Sequence, residues 1–265
     1  MIENIKIPEK WAAEIAQNIS GGMRTNFYIS TQTLFPFIEE GRDTCQRFPG
    51  GSYFFVEGEK QIDLYFFLEK EKKLQRLPDF PKPVVLEQVA MEKADVSPTA
   101  EEWQAIGFQP YLKRRRLFLS AKNAPVEQRE ILFGNETDLP EIIDLMQESF
   151  EPYTSALPDA ETLRKDLREG RVIVAKENGI LLGFLRFGRE KKVSVLWQIA
   201  VPKVGQGKGV GSALVRDWLA LERAEVTKFQ LWVREDNPSA WRMYEKQGFL
   251  PDGRMAPVMI KKKGL

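Results

Sequence analysis

The sequence predicts an α/β (α+β) chain built from two similar halves, and four observations carry that prediction. Residues 193–201 are rich in β-branched and large apolar side chains, as a buried strand requires. A glycine-rich turn joins them to an amphipathic helix whose apolar face is Val210, Ala213, Leu214, Trp218 and Leu221. The halves also repeat: Ile106, Gly107, Phe108, Gln109 and Pro110 run against Gln247, Gly248, Phe249, Leu250 and Pro251, with Gly248 lying 141 positions after Gly107. The same offset pairs Leu117, Phe118 and Leu119 with Val258, Met259 and Ile260. Finally, hairpin patterns recur, at 53–58 with 62–68 and at 171–175 with 180–187.

In the first half the hairpin runs to Lys70 and the next strand starts near Val84, about a dozen residues later, too few for a loop-and-helix unit like 193–223. A polar, proline-interrupted linker at 121–128 then divides the chain into domains 1–125 and 126–265. In the second half Ile131, Leu132 and Phe133 form a strand. Thr137 or Asp138 caps a helix through Met146 with an apolar face of Leu139, Ile142, Ile143 and Met146. Two prolines make 150–158 a loop before a second helix near 160–169. After the hairpin, strand, glycine turn and long helix come an apolar strand at 229–233, an Asn237 and Pro238 helix start, and a final strand beyond Gly248 and Phe249.

Composition narrows the functions. The 265 residues carry a net charge of +1, with 43% hydrophobic and 29% charged residues, so no global field draws the molecule to nucleic acid or membrane. The basic runs Lys113, Arg114, Arg115, Arg116 and Lys261, Lys262, Lys263 read as solvated strand-edge charge. No apolar leader or membrane-length window is present, and the single Cys45 fits a reducing compartment, so the cytoplasm is expected. There is no histidine, which excludes Ser-His-Asp and Cys-His nucleophiles and removes zinc's commonest ligand; no metal is expected.

The glycine turn has the logic of a diphosphate cradle. Glycines at 205, 207, 209 and 211 permit positive φ, so successive amides at a helix N-terminus can converge on phosphate oxygens. Lys208 adds a mobile positive charge. A P-loop needs Ser or Thr after Gly-Lys, but Gly209 follows Lys208. A G-x-G-x-x-G fingerprint started at 205, 207 or 209 ends on Val210, Ser212 or Leu214. What remains is Gln206-x-x-Gly209-x-Gly211. Together with the block from Phe229 through Asn237 and Tyr244 to Gly248 and Phe249, it resembles the GNAT superfamily of N-acyltransferases over roughly residues 130–260.

That resemblance implies two GNAT-like domains, each a mixed, mostly antiparallel sheet flanked by helices. The first copy is degenerate and without a CoA site: it has no glycine cradle, and Val96 and Trp103 stand where Asn237 and Tyr244 would. In the second copy the resemblance implies acetyl-CoA held by the main chain of Ile199 and Val201, by amides from Gln206, Gly207, Lys208, Gly209, Val210, Gly211 and Ser212, and by Asn237, which also suits an N-cap. Tyr244 is the expected general acid, its reference pKa of about 10 standing near the thiol's value of about 8.5. Residues 193–201 hold no carboxylate, so no base is assigned; Glu148, Glu151, Glu235, Asp236 and ordered water are the candidates. Residues 150–158 are expected to line the acceptor pocket. The implied function is transfer of acetyl from CoA to a primary amine, on a small molecule or peptide, in a ternary complex. The alternatives are a non-catalytic CoA-binding sensor or interaction protein, or a tandem-GNAT transferase of a larger acyl or aminoacyl group. A monomer or homodimer is expected.

Overall fold

The computed structural model describes residues 2–4, 8–29, 35–94, 97–126 and 130–262. Its two compact units depart from the expected cut after residue 125: Met1–Lys113 with Arg254–Leu265 form one, and Arg114–Gly253 the other. The last strand of each half has been exchanged. Both of these strands are twelve residues long, and nothing in their alternation specifies which sheet receives them.

The first unit contains β1 (Ile2–Asn4), α1 (Pro8–Ser20), β2 (Arg24–Thr25), α2 (Phe35–Glu39), β3 (Asp43–Phe48), β4 (Gly51–Glu57), β5 (Ile62–Leu68), β6 (Val84–Glu87), β7 (Ala90–Met91), α3 (Ala100–Gln104) and the start of β8 (Gln109–Ser120). Its sheet runs β1, β3, β4, β5, β6, antiparallel except for a short parallel contact of β5 with β6 at Ile62↔Val84 and Asp63↔Val85. The end of β13 (Leu250–Lys261) closes it, pairing Val258 to Lys261 against Glu87 to Val84. Residues 69–83 between β5 and β6 contain no helix. The core is aromatic: Tyr53, Phe55, Phe66, Trp103 and Phe108 pack in one cluster, and Trp11, Phe27, Phe54 and Phe67 in another. Each buries some 150–250 Å², which suits a domain this small.

Beyond Asp63 and Val85, β5 and β6 part, and the chain fills the space itself. Strand β2 pairs Arg24↔Leu68 and Thr25↔Phe67 on β5. Next to it the buried Asn26 donates from Nδ2 to the carbonyls of Leu64 (2.8 Å) and Glu87 (3.0 Å), and its Oδ1 accepts from the Phe66 amide (2.9 Å). One side chain thus satisfies backbone groups on both strands of the fork.

The second unit contains the rest of β8, a 3₁₀ turn at Glu136–Asp138, α4 (Leu139–Ser149), α5 (Ala160–Arg168), β9 (Val172–Glu177), β10 (Ile180–Glu190), β11 (Val193–Ala200), α6 (Val210–Glu222), β12 (Lys228–Arg234) and α7 (Pro238–Lys246). Its sheet runs β8, β12, β11, β10, β9, and only β11 with β12 is parallel. Helices α4 and α5 pack on Val172, Val174 and Phe184, whereas α6 and α7 pack on Ile173, Leu185, Leu196, Phe229 and Leu231. These are alternate residues of the same strands, as the two-residue period of a strand buried on both faces demands.

Several expectations change. Ile131 to Phe133 form no full strand; Phe133 makes a single bridge to Ile173. Asp138 stands at the N-cap position of α4, as expected, but its side chain makes no cap hydrogen bond to that helix; Asn135 caps the 3₁₀ turn that leads into it, accepting from Thr137 N at 2.9 Å. The strand with the parallel contact is β5 in one unit and β11 in the other, so the counterpart of the β9–β10 hairpin is β3–β4, one strand earlier than the repeat at 53–68 implied. The basic run is not solvated edge charge: Arg115 pairs with Glu235, and Arg116 with Asp252 (2.6 Å) beneath the Trp232 ring. At the other run Lys261 donates to the Ile106 carbonyl at 3.0 Å, and Lys263 lies outside the described residues. Among the described residues no helix is long and apolar enough to cross a membrane.

Candidate functional site

Strands β11 and β12 form a second fork. Their parallel pairing covers only Val193↔Lys228 to Leu196↔Leu231. Beyond it β12 stays with β8 as far as Arg234, and β11 stays with β10 as far as Ala200. Leu196 faces Phe187 but Gln198 faces Arg186, so Trp197 is an extra residue, a bulge that raises local twist and turns β11 away from β12. Its ring lies over Gly188, where an added Cβ would meet it at 2.0 Å. Ile199 and Val201, both half-buried, follow the bulge on the part of β11 that has left β12.

The chain then turns through Lys203–Gly205, with the Gly205 amide on the Pro202 carbonyl (2.9 Å) and the Gln206 amide on that of Lys203 (3.2 Å). Gln206 folds its side chain back, Nε2 donating to the Val201 carbonyl at 3.1 Å. It therefore holds the turn against the strand end. The four glycines divide by cause. Only Gly207 (φ 76°) and Gly209 (φ 77°) adopt the left-handed region, and both face open space. Gly205 and Gly211 are required for close packing, since a Cβ would sit 2.5 Å from the Leu182 carbonyl oxygen or 3.0 Å from the Met243 sulfur.

The first helical hydrogen bond of α6 runs from the Ala213 amide to the Gly209 carbonyl (3.0 Å), which leaves the amides of Val210, Gly211 and Ser212 ahead of it, at the positive end of the helix dipole. Gly209 is the N-cap and has no side chain to cap them. Lys208 lies beside this turn, 3.4 Å from Glu177, with both side chains exposed.

Helix α7 begins at Asn237, whose Oδ1 accepts from the Ala240 amide (3.1 Å) ahead of Pro238. The N-cap role is thus real, and Nδ2 remains for another partner. Tyr244, two turns on, is buried against Phe249, with ring centroids 5.8 Å apart. Its hydroxyl takes no hydrogen bond among the described residues, and burial pushes its pKa upward, so the phenol keeps its proton but stands further from the thiol's acidity than the reference values implied. In the first unit Trp103 packs on Phe108 in the corresponding T-shaped pair (5.2 Å), while Val96 lies outside the described residues.

Three of the four carboxylates weighed as bases are engaged elsewhere. Burial alone would raise the pKa of Glu151, but hydrogen bonds from the Thr154 hydroxyl, the Tyr153 and Thr154 amides and the Ser155 hydroxyl outweigh it, holding the group below the ordinary carboxylate range. Glu235 is bound by Arg115, and Asp236 by Arg234 at 2.8 and 2.6 Å. Glu148 is exposed on α4. Sequence reading passed over a buried group of Arg186, Asp166 and Gln198 in the second unit. The signal was available, since Gln198 is the one polar residue between Leu196 and Val201.

Residues 139–249 match the model of the acetyltransferase (GNAT) family. The L-2,4-diaminobutyric acid acetyltransferase of Vibrio cholerae serotype O1 is 27% identical over 78 residues, which cover 28% of this chain and 45% of that protein, so the match spans less than half of that relative's length. The GCN5-related N-acetyltransferase of Sphaerobacter thermophilus shares the fold with a TM-score of 0.66 at 14% identity, over 99% of this chain and 95% of that one. A tandem GNAT protein from the clavulanic acid biosynthesis pathway, in its form without AcCoA, aligns at 0.59 and 12% identity over 100% and 99% of the two chains. The fork, the glycine turn and α7 all lie within residues 139–249, the stretch that matches the acetyltransferase (GNAT) family model.

Proposed function

We propose that the chain is an acetyl-CoA-dependent N-acetyltransferase acting on a primary amine, with its one cofactor site in the second unit. The carrying observation is the continuity of the open edge of β11 with the uncapped amides of α6: a main-chain edge suited to an amide-bearing arm runs directly into a concave turn suited to a diphosphate. The fit is steric as well, because the Cβ positions of Gly207 and Gly209 point into open space.

In this reading the main chain of Ile199 and Val201 orients the arm, with the Val201 carbonyl shared with Gln206. Amides of residues 207–212 and Lys208 hold the diphosphate, the Gln206 amide dropping out of the expected set because it is on the Lys203 carbonyl, and Asn237 contributes Nδ2. The cofactor supplies an acetyl thioester that a neutral amine attacks. Tyr244 holds a proton at Oη for the departing sulfur, and its buried setting keeps water from that exchange. The four carboxylates being engaged or exposed, the amine loses its proton to solvent. An acceptor of the small amino-acid class is favoured by the diaminobutyric acid acetyltransferase among the relatives. Turnover of acetyl-CoA with a panel of primary amines, followed by thiol release, tests this directly; a chain that binds CoA but acetylates nothing is a sensor instead.

A further inference from the structure

Gln198 and its partners form a closed chain of contacts that the acetyl-transfer chemistry does not use. Its Oε1 accepts from Arg186 Nη1 at 2.8 Å, and Arg186 is held by Asp166, with Nε at 2.6 Å from Oδ2. Arg171 donates to the other Asp166 oxygen at 3.1 Å. All three members at the centre are buried, Gln198 at 3%, Asp166 at 2% and Arg186 at 7% exposure. A guanidinium only donates, so the glutamine amide has one admissible orientation: oxygen toward Arg186 and Nε2 away from it.

On that far side Nε2 meets the carbonyls of Ser155 (3.1 Å) and Ala156 (3.4 Å). Ala156 has φ 44°, a left-handed conformation that a non-glycine residue keeps only where its surroundings hold it. The loop is otherwise pinned by its own Glu151 and by Arg114 of β8, which donates to the Thr154 carbonyl at 3.0 Å. Gln198 sits directly between the Trp197 bulge and Ile199, so the same stretch of strand that borders the fork also grips this loop.

We propose that Gln198 is a positioning residue that locks residues 151–157 onto the bulged strand as a wall of the amine-acceptor pocket, with Arg186 and Asp166 fixing its amide. The assignment rests on the acetyl-transfer reading. A glutamate at 198 would still accept from Arg186 but could not donate to the loop carbonyls, which separates positioning from the mere satisfaction of Arg186.

The test compares Gln198→Glu and Gln198→Ala with the full-length wild type by steady-state kinetics and by hydrogen exchange at residues 153–157. Loss of two hydrogen bonds should raise the acceptor KM about tenfold in both variants, while the acetyl-CoA KM stays within about twofold. Loop exchange should quicken in both. A Gln198→Glu enzyme with wild-type acceptor KM and loop exchange would overturn the positioning role alone. A wild type that binds CoA but acetylates no amine would overturn the acetyl-transfer reading and the loop's acceptor role with it.

Discussion

In the second unit β11 leaves β12 after Leu196 and its far edge stays open, whereas in the first unit β5 leaves β6 after Asp63 and the chain's own residues 24–26 occupy the space. The two forks share strand order and parallel contact, and each unit has a short helix ending in Gly-Phe: the Phe108 and Phe249 amides return to the Trp103 and Tyr244 carbonyls, both at 3.1 Å. They differ in what satisfies the parted strands. Asn26 supplies donor and acceptor in the first unit, and no glycine turn or helix follows β5 there. A fork whose polar groups are met internally is scaffold; one that leaves them over is a place for a ligand that can meet them. The difference rests on a few residues.

The most damaging change to the open fork is Gly209→Val. A β-branched side chain disfavours φ 77° and projects into the space before the α6 amides. CoA affinity should fall about 10³-fold by calorimetry, roughly 4 kcal/mol, with the circular dichroism spectrum retained. Unaltered binding would remove the cradle. Tyr244→Phe keeps the buried ring and removes its proton, so kcat should drop about 10²-fold with little change in acetyl-CoA affinity. Equal turnover would exclude the phenol as acid.

The closed fork answers to different changes. Asn26→Ala leaves the Phe66 amide and the Leu64 and Glu87 carbonyls without that partner, and should cost about 2–3 kcal/mol in denaturant unfolding while CoA stoichiometry is unchanged. A shift under about 0.5 kcal/mol would show that the plug is dispensable. Smaller still is a pH effect at Asp63, whose pKa is raised to about 7, first by desolvation, with the Glu87 charge adding to the shift and a Gln61 hydrogen bond opposing it. Its folded-state pKa lies above the unfolded value, so the folded form binds the extra proton and stability should decline as pH rises from about 4 to about 7. Asp63 is only half-buried, which limits the change to about 1 kcal/mol, and Asp63→Asn should flatten it.

The glycine turn, the α6 face, the Asn237 and Pro238 helix start and the repeat at Gly107 and Gly248 were legible because each is a local pattern. The exchange of β8 and β13 was not, since alternation fixes which face of a strand is buried but not which sheet accepts it. It has a practical consequence: deleting residues 1–125 would remove β8, which pairs with β12 from Lys228 to Arg234, so that cut dismantles the second unit's sheet and cannot isolate it. Asn26 gave no signal at all, because its partners are 38 to 61 positions away in sequence. The division of the glycines into two that need positive φ and two that need close approach likewise depends on Leu182 and Met243, which only the fold brings near.

One fork is open and the other closed, so calorimetric titration of the full-length chain with CoA should count a single site. We expect one CoA per chain, lost in Gly209→Val and kept in Asn26→Ala. Two CoA per chain, or a single site that survives Gly209→Val, would contradict it.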